Sequence, residues 1–483
     1  MKQNSFYITT TLPYVNAPLH MGHALEFVRA DAIARYKKLQ GYEVFFNTGT
    51  DEHGLKIFEK AKENNLTPQE FVDNGFLNFK KQLTMFGISE DINFVRTTDE
   101  HHIKSAQEFW RKVSNNGYIY KKNYESKYCV GCESEKTDSE LVDGFCPDHP
   151  GKDLVIISEE NYFFKYSAFT EKLLKFYEEN PTFVVPDFRY NEIKAFVSRG
   201  LQDFSISRLK EKMPWGIPVP DDENHVMYVW FDALTNYIST LGWPEDTEKF
   251  KKFWSNGNPT QYCGKDNLRF QSAMWQAMLM AADLPNSHQI IINGFITADG
   301  GVKMSKTLGN VVDPKDIVAE YSTDALRFFL LSEVSSFEDS PFTMERFKES
   351  YNAKLANGLG NLTSRIMKMA ETNLETITEI PPMGLTEDWS PALTSMENFN
   401  IGEAMNVIFK HVTELDEIIQ NKQPFKLVKT NKDEALEIIK DLVIKLHNIG
   451  QMLVPVMPET SQKIVAIAKS GKMPEQPLFL RKD

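Results

Sequence analysis

The tightest constraint on this chain lies near its N-terminus, where strand and helix signals alternate. Phe6–Leu12 reads as a strand, and Pro13-Tyr-Val-Asn-Ala-Pro18 reads as a turn. From His20 to Gln40 the spacing is helical, with Leu25, Val28, Ile33 and Tyr36 facing inward. Gly41 supplies a helix stop, and Tyr42–Asn47 is the next strand. A strand, a crossover helix and a second strand imply a parallel sheet. Such sheets bind ligands at the carboxyl ends of their strands.

At 483 residues the chain is too long for one ordinary domain, and about three structural units are expected. Residues 1–116 would form the first half of a Rossmann-like sheet domain. Residues 117–224 are irregular and read as an insertion. Alternation resumes at His225–Trp230 and at Gln289–Ile296, giving a second half over 225–325 and a connection over 326–345. Over 346–483 apolar residues recur at helical spacing. Phe347, Tyr351, Leu355, Leu359, Leu362 and Ile366 form one stripe, and Met405, Ile408, Val412, Leu415 and Ile419 another. A third runs from Leu436 through Ile439, Leu442, Leu446 and Ile449 to Leu453, so a helical bundle follows, with Thr376–Pro391 as a connection inside it. The expected fold is therefore an α/β parallel-sheet domain with an insertion, followed by an all-α bundle.

With 41% hydrophobic and 25% charged residues, the composition is that of a globular protein. No stretch approaches the roughly 20 apolar residues of a membrane span. Met1–Tyr14 lacks the pattern of a signal peptide, so a cytoplasmic protein without membrane contact is expected. The formal charge of −13 argues weakly against a protein coated in nucleic acid, but local basic patches rather than the total decide such affinity. Three of the four cysteines lie between Cys129 and Cys146, which in a reducing compartment favours metal over disulfides. Cys129-x-x-Cys132, thirteen residues, then Cys146-x-x-His149 supplies a closed Cys₃His set, the form of a structural zinc site. Cys263 stands apart and reads as core or pocket edge.

His20-Met-Gly22-His23 falls where the first strand hands over to the helix. Free backbone N–H groups and the positive end of the helix dipole make that junction an anion site. Two imidazoles there can donate to phosphate oxygens. Far along the chain, Lys303-Met-Ser305-Lys306-Thr307 follows Ala298-Asp-Gly-Gly301, placing two lysines on a glycine-flanked loop able to close over a triphosphate. Taken singly, each motif has a plainer reading, as histidines incidental to a helix start or a solvated lysine loop.

As a pair, H-x-G-H and K-M-S-K-T resemble the signatures of class I aminoacyl-tRNA synthetases, with Thr307 in place of the usual serine. The double knuckle resembles that of the methionyl family. The insertion of about 110 residues is too short for the editing domain of the leucine, isoleucine and valine enzymes plus a knuckle. Thr11-Leu-Pro-Tyr14-Val-Asn-Ala, Thr48-Gly-Thr-Asp51-Glu-His-Gly54, Tyr228-Val-Trp230-Phe-Asp232-Ala233, Gly264-Lys-Asp266 and Gly294-Phe295 are also similar to methionyl-family segments.

The resemblance implies that Asp51 holds the substrate ammonium, while Leu12, Tyr14, Trp230, Ala233 and Tyr237 wall a thioether pocket. It implies that Gly22, His23, Gly264, Asp266, Gly294, Lys303, Ser305 and Lys306 bind ATP, Asp266 at the ribose. His20, His23, Lys303 and Lys306 would neutralise the transition state, with Mg²⁺ on the phosphates and one structural Zn²⁺ on the knuckle. Gln271 stands where the family commonly has histidine, a departure that touches sulfur recognition. Asn361 and Arg365, on one face of a helix, would read anticodon bases. Phe425, where tryptophan is usual, would stack on one. The partners implied are ATP, L-methionine and initiator and elongator methionine tRNA. No C-terminal oligonucleotide-binding module is evident, so a monomer is expected. The alternatives are a cysteine-type synthetase, whose zinc would face the active centre, and a zinc-containing nucleotidyl-transferase-like binding protein.

Overall fold

The structure is a computed structural model, and it describes residues 4–132, 134–136, 138–301, 312–374 and 389–483. The chain divides into two compact units. One comprises Met1–Leu19, Gly41–Gln82 and Glu90–Ile292, and the other His20–Gln40, Leu83–Ser89 and Asn293–Asp483.

The first unit is built on a six-stranded sheet. Its strands are β1 (Ser5–Thr9), β2 (Glu43–Thr50), β3 (Asn93–Arg96), β4 (Val184–Val185), β5 (Thr260–Gly264) and β6 (Gln289–Asn293). Their order is β3-β2-β1-β5-β6-β4. β1 pairs in parallel with β2 and β5, β2 with β3, and β6 with β4. The parallel β1–β2 pairing across an intervening helix, α1 (Met21–Leu39), is the one expected. Progression outward from β1 reverses between β1 and β5, and that switch point is where an open parallel sheet offers a crevice. Strands covered on both faces need apolar side chains in both directions. Ile290, Ile291 and Ile292 of β6 accordingly have no exposed surface.

Two differences from the expected sheet are instructive. The strand expected at His225–Trp230 is Asp222–Met227, which pairs antiparallel with Pro218–Val219 and Ser207–Leu209 in a separate small sheet. Its nearest partners lie only a hairpin away, so the parallel sheet resumes later, at β5. The insertion also returns to the main sheet, supplying β4 at its edge.

The insertion opens with a long antiparallel hairpin, Ile119–Cys129 against Val155–Phe164, and also carries the helices Thr170–Glu179 and Asp187–Ser198. Below it lies an aromatic core in which Phe109 stacks on Trp275 at 5.7 Å and meets Phe231 and Trp243 edge-on at 5.7 and 6.0 Å. Such pairs add about 0.5–1.5 kcal/mol each beyond their burial, so the chain's phenylalanines do much of the cohesive work here.

The second unit is helical. Helical segments Met344–Ser350, Tyr351–Gly360 and Asn361–Asn373 run consecutively, the middle one with π-type bonding. Ile401–Lys422, Lys432–Met452 and Pro458–Ser470 follow. The apolar stripes read from the sequence are buried in them, apart from Leu436, which is half-buried. The Pro381-Pro382 connection lies outside the described residues. α1 belongs to this unit for a definite reason: it is buried with its charges. Arg29 donates to the carbonyls of Val334, Ser335 and Ser336, and Lys37 pairs with Glu397. Asp31 pairs with Arg327 at 2.8 Å, both fully buried.

Candidate active site and metal cluster

The expected substrate residues of the first unit fall at the carboxyl ends of its strands. Leu12 and Tyr14 follow β1, Asp51 follows β2, and Gly264 and Asp266 lie at and just beyond the end of β5. Tyr14 and Asp51 form a parallel bridge that extends the β1–β2 ladder, with Asp51 N donating to Pro13 O and Val15 N to Asp51 O. The bridge holds Asp51 5% exposed. β2 is drawn tightly against β3, since a Cβ on Gly49 would lie 1.8 Å from Val95 O. That fixes the strand end from which Asp51 emerges.

Trp230 and Ala233 share the short helix Val229–Ala233, and Tyr237 lies on Asn236–Ser239. Trp230 stacks face to face on Phe270, centroids 3.9 Å apart and planes 4° apart. Gln271 is 1% exposed and donates to Tyr237 Oη at 2.5 Å. It accepts from Gln261 Nε2 at 2.5 Å, and Ser287 Oγ donates to Gln261 in turn. The departure at 271 is therefore built into a buried amide chain that orients the Tyr237 hydroxyl. Asp266, exposed, is next to Asn267, which donates to it at 3.3 Å.

In the second unit His20 caps α1. His20 Nδ1 accepts from Gly22 N at 3.1 Å and His23 Nδ1 accepts from His20 N at 3.2 Å, the rings stacked at 3.8 Å. A nitrogen that accepts carries no proton, so each neutral ring keeps its proton on Nε2. Burial, then the neighbouring His20, hold His23 well below the ordinary histidine value. A Cβ on Gly22 would sit 3.0 Å from His20 Cε1, so the glycine's first tenant is the His20 ring itself. Gly294 likewise answers to backbone, as a Cβ there would lie 2.2 Å from the Glu338 carbonyl carbon. Lys303, Ser305 and Lys306 lie outside the described residues.

Cys129, Cys132, Cys146 and His149 come together at the tip of the long hairpin, their ligand atoms all within 4.8 Å of one another. Cys132 Sγ is 3.5 Å from Cys146 Sγ and 3.3 Å from His149 Nδ1, while Cys129 Sγ and Cys146 Sγ lie 3.7 and 4.0 Å from that nitrogen. A tetrahedral zinc with bonds of about 2.3 Å to sulfur and about 2.0 Å to nitrogen spaces its ligands about 3.5–3.8 Å apart, so the set can hold a metal. Gly131 makes the seat: a Cβ there would meet the His149 ring at 2.5 Å. Lys56 Nζ reaches Gly131 O at 3.4 Å and lies 5.5 Å over the Tyr14 ring, tying the knuckle to the end of β1.

The family model of class I tRNA synthetases (M) matches residues 6–153 and 151–367. A methionine–tRNA ligase from Caldanaerobacter subterraneus subsp. tengcongensis is 41% identical over 478 residues, 96% of this chain and 73% of that protein. One from Brucella suis is 37% identical over 97% of this chain and 92% of its own length. The chain belongs to the methionyl class I tRNA synthetases. Methionyl-tRNA synthetase from Mycobacterium tuberculosis, solved in complex with methionyl-adenylate, superimposes with a TM-score of 0.87 at 35% identity, covering 96% of this chain and 93% of that one.

The residues expected from the sequence to meet the anticodon lie in the helical unit. Asn361 is exposed at the start of its helical segment. Arg365, one turn on, is held in an ion pair with Asp416 of Ile401–Lys422, a partner the sequence did not suggest. Phe425 is 48% exposed just after buried Pro424, with Lys426 Nζ 5.8 Å over its ring. Three residues given no role in advance stand out in the first unit. His53 and Asp232 sit inside quoted motifs, and His102 carried no signal. The three form one buried hydrogen-bonded set. Arg208 was also missed; it is 4% exposed between the Tyr128 and Tyr228 rings, 5.1 and 5.0 Å away.

Proposed function

We propose that the chain activates L-methionine with ATP to methionyl-adenylate, releasing pyrophosphate, and transfers the methionyl group to the 3′ end of methionine tRNA. The observation that carries this reading is the buried Asp51 carboxylate at the end of β2, bridged to Tyr14 at the end of β1. It offers one anion for an ammonium, while Tyr14, Trp230 and Tyr237 would supply an aromatic set suited to a polarizable thioether. Leu12 and Ala233 complete the apolar wall, and Gln271 aims the Tyr237 hydroxyl.

The methionine carboxylate is already ionised at neutral pH, so attack on the α-phosphorus needs little acid–base work and depends on positioning and charge. His20 and His23 donate from Nε2 to phosphate oxygens, Lys303 and Lys306 neutralise developing negative charge, and Ser305, Gly22, Gly264 and Gly294 line the nucleotide. Asp266 takes the ribose hydroxyls. When bound with the triphosphate, Mg²⁺ would supply charge neutralisation beside these residues. Cys129, Cys132, Cys146 and His149 would hold Zn²⁺; a full set of four protein ligands supports a structural rather than a substrate-gripping role for it. Asn361, Arg365 and Phe425 read the anticodon of initiator and elongator methionine tRNA. The reading carries with it a cytoplasmic, monomeric enzyme.

The test is ATP–pyrophosphate exchange with each of the standard amino acids, followed by charging of methionine tRNA. Exchange driven by methionine and by no other amino acid is expected. Exchange driven by cysteine instead, or no charging of tRNA, removes the reading.

A further inference from the structure

We propose that His53, Asp232 and His102 form a positioning bridge that sets the methionine pocket, linking the carboxylate for the ammonium to the helix that walls the side chain. The proposal rests on the methionine-activating reading above. Asp232 has a side chain 1% exposed, and both its oxygens are taken: His53 Nδ1 lies 2.7 Å from Oδ2 and His102 Nε2 2.7 Å from Oδ1. Burial alone would raise the Asp232 carboxyl, but the two imidazoles more than offset that and hold it below the usual carboxylate range. An ionised carboxylate only accepts, so both histidines donate to it. The other ring nitrogen of His102, Nδ1, lies 2.9 Å from Ser239 Oγ.

The positions of these residues make the bridge more than a satisfied core polar set. His53 is two residues beyond Asp51. Asp232 sits between Trp230 and Ala233. Ser239 is two residues beyond Tyr237, and its carbonyl oxygen lies 3.0 Å from His101 Nε2. His102 comes from the helix Glu100–Asn115, which carries none of the residues given to the pocket wall. Two segments given a substrate residue in this reading are thus tied through one carboxylate to one helix, and a third reaches the same helix through Ser239. Trp215 closes the other side, its ring 5.6 Å from that of His53 and its Nε1 donating to Glu52 O at 2.6 Å. An apolar replacement would pack at least as stably in a core this aromatic, because burying a charge carries a desolvation cost. Fixed geometry between Asp51 and Trp230 is what the ionic set provides in return, and substrate sites held within about 0.5 Å need such support.

The experiment compares wild type with Asp232→Asn, His102→Leu and His102→Gln in ATP–pyrophosphate exchange, measuring KM for methionine and for ATP separately. Asp232→Asn and His102→Leu should raise the methionine KM about tenfold or more, the scale of one buried hydrogen bond lost from a preorganised site, with the ATP KM within about twofold. His102→Gln restores an N–H donor to Asp232 and should return the methionine KM to within about threefold of wild type. Equal methionine KM values for His102→Leu and His102→Gln, or methionine and ATP KM values that rise together, would overturn the bridge and leave a merely structural role. Should Asp232→Asn not fold, the two His102 variants decide alone. Wild type inactive with methionine would instead sink the activity reading, a result distinct from an active wild type with unaffected variants.

Discussion

His20 and His23 are bound to their own helix start by reciprocal contacts, each Nδ1 accepting a backbone N–H, and this decides what the pair can do. With both protons on Nε2, the rings present two neutral donors, which suits oxygen atoms that gain charge in a transition state. His23 is depressed by burial and then by His20, so it stays neutral where an ordinary histidine, at 6.5, is half protonated. The unfolded chain binds that proton and the folded chain does not. His23 therefore costs stability as the pH falls through and below 6.5, until its own folded value is reached. Nitrogen-15 chemical shifts should report the Nε2–H neutral tautomer of His23 at pH 6.5; a half-protonated ring there would contradict the geometry.

At the scale of elements, α1 is the unusual one. Four of its charged residues, Glu26, Arg29, Asp31 and Lys37, are buried. Asp31 is the centre of this set. It accepts from Ser89 N and Oγ at 2.9 and 2.6 Å and from Arg35 Nε at 2.7 Å, and it pairs with Arg327. Burial by itself would raise its carboxyl, but Arg327 and then Arg35 hold it below the usual range. Arg327 in turn donates to Val456 and Pro455 carbonyls, so one carboxylate fastens the helix that begins with the two histidines to the C-terminal bundle. Asp31→Asn keeps the volume and strands the buried guanidinium. It should destabilise the second unit by about 3–5 kcal/mol, read from urea unfolding followed by circular dichroism. A loss under about 1 kcal/mol would mean that the pair is solvated and its apparent burial immaterial. This element also marks a limit of sequence reading: Leu25, Val28, Ile33 and Tyr36 were legible as inward by period, but Arg29's acceptors lie more than three hundred positions away, at Val334–Ser336.

For the whole molecule, the two units rest on different kinds of cohesion, a parallel sheet with an aromatic core in one and helix stripes in the other. The knuckle is a third, local device that depends on its ion. Removing the metal with a strong chelator should release about one zinc per chain and expose the segment from Cys129 to His149 to proteases. Antiparallel pairing of Ile119–Cys129 with Val155–Phe164 should persist, since its hydrogen bonds do not pass through the four ligands. Absence of bound zinc, or a digestion pattern indifferent to chelator, would refute the metal assignment.

What the linear chain determined by itself was whatever is encoded over short distances. The β1-α1-β2 crossover follows from apolar period and a stop at Gly41, the Cys₃His cluster from two pairs spaced by a loop, and the bundle from repeated stripes. Tertiary structure alone decided the rest. Val184–Val185 is too short to announce itself as the edge strand it becomes, and Asp222–Met227 has a strand's sequence but joins a neighbouring hairpin. Asp232 meets His102 from 130 positions away. The physical reason is common to all of these: period and capping act within a few turns of chain, whereas the pairing of a buried charge is settled only by whichever distant group can offset its desolvation.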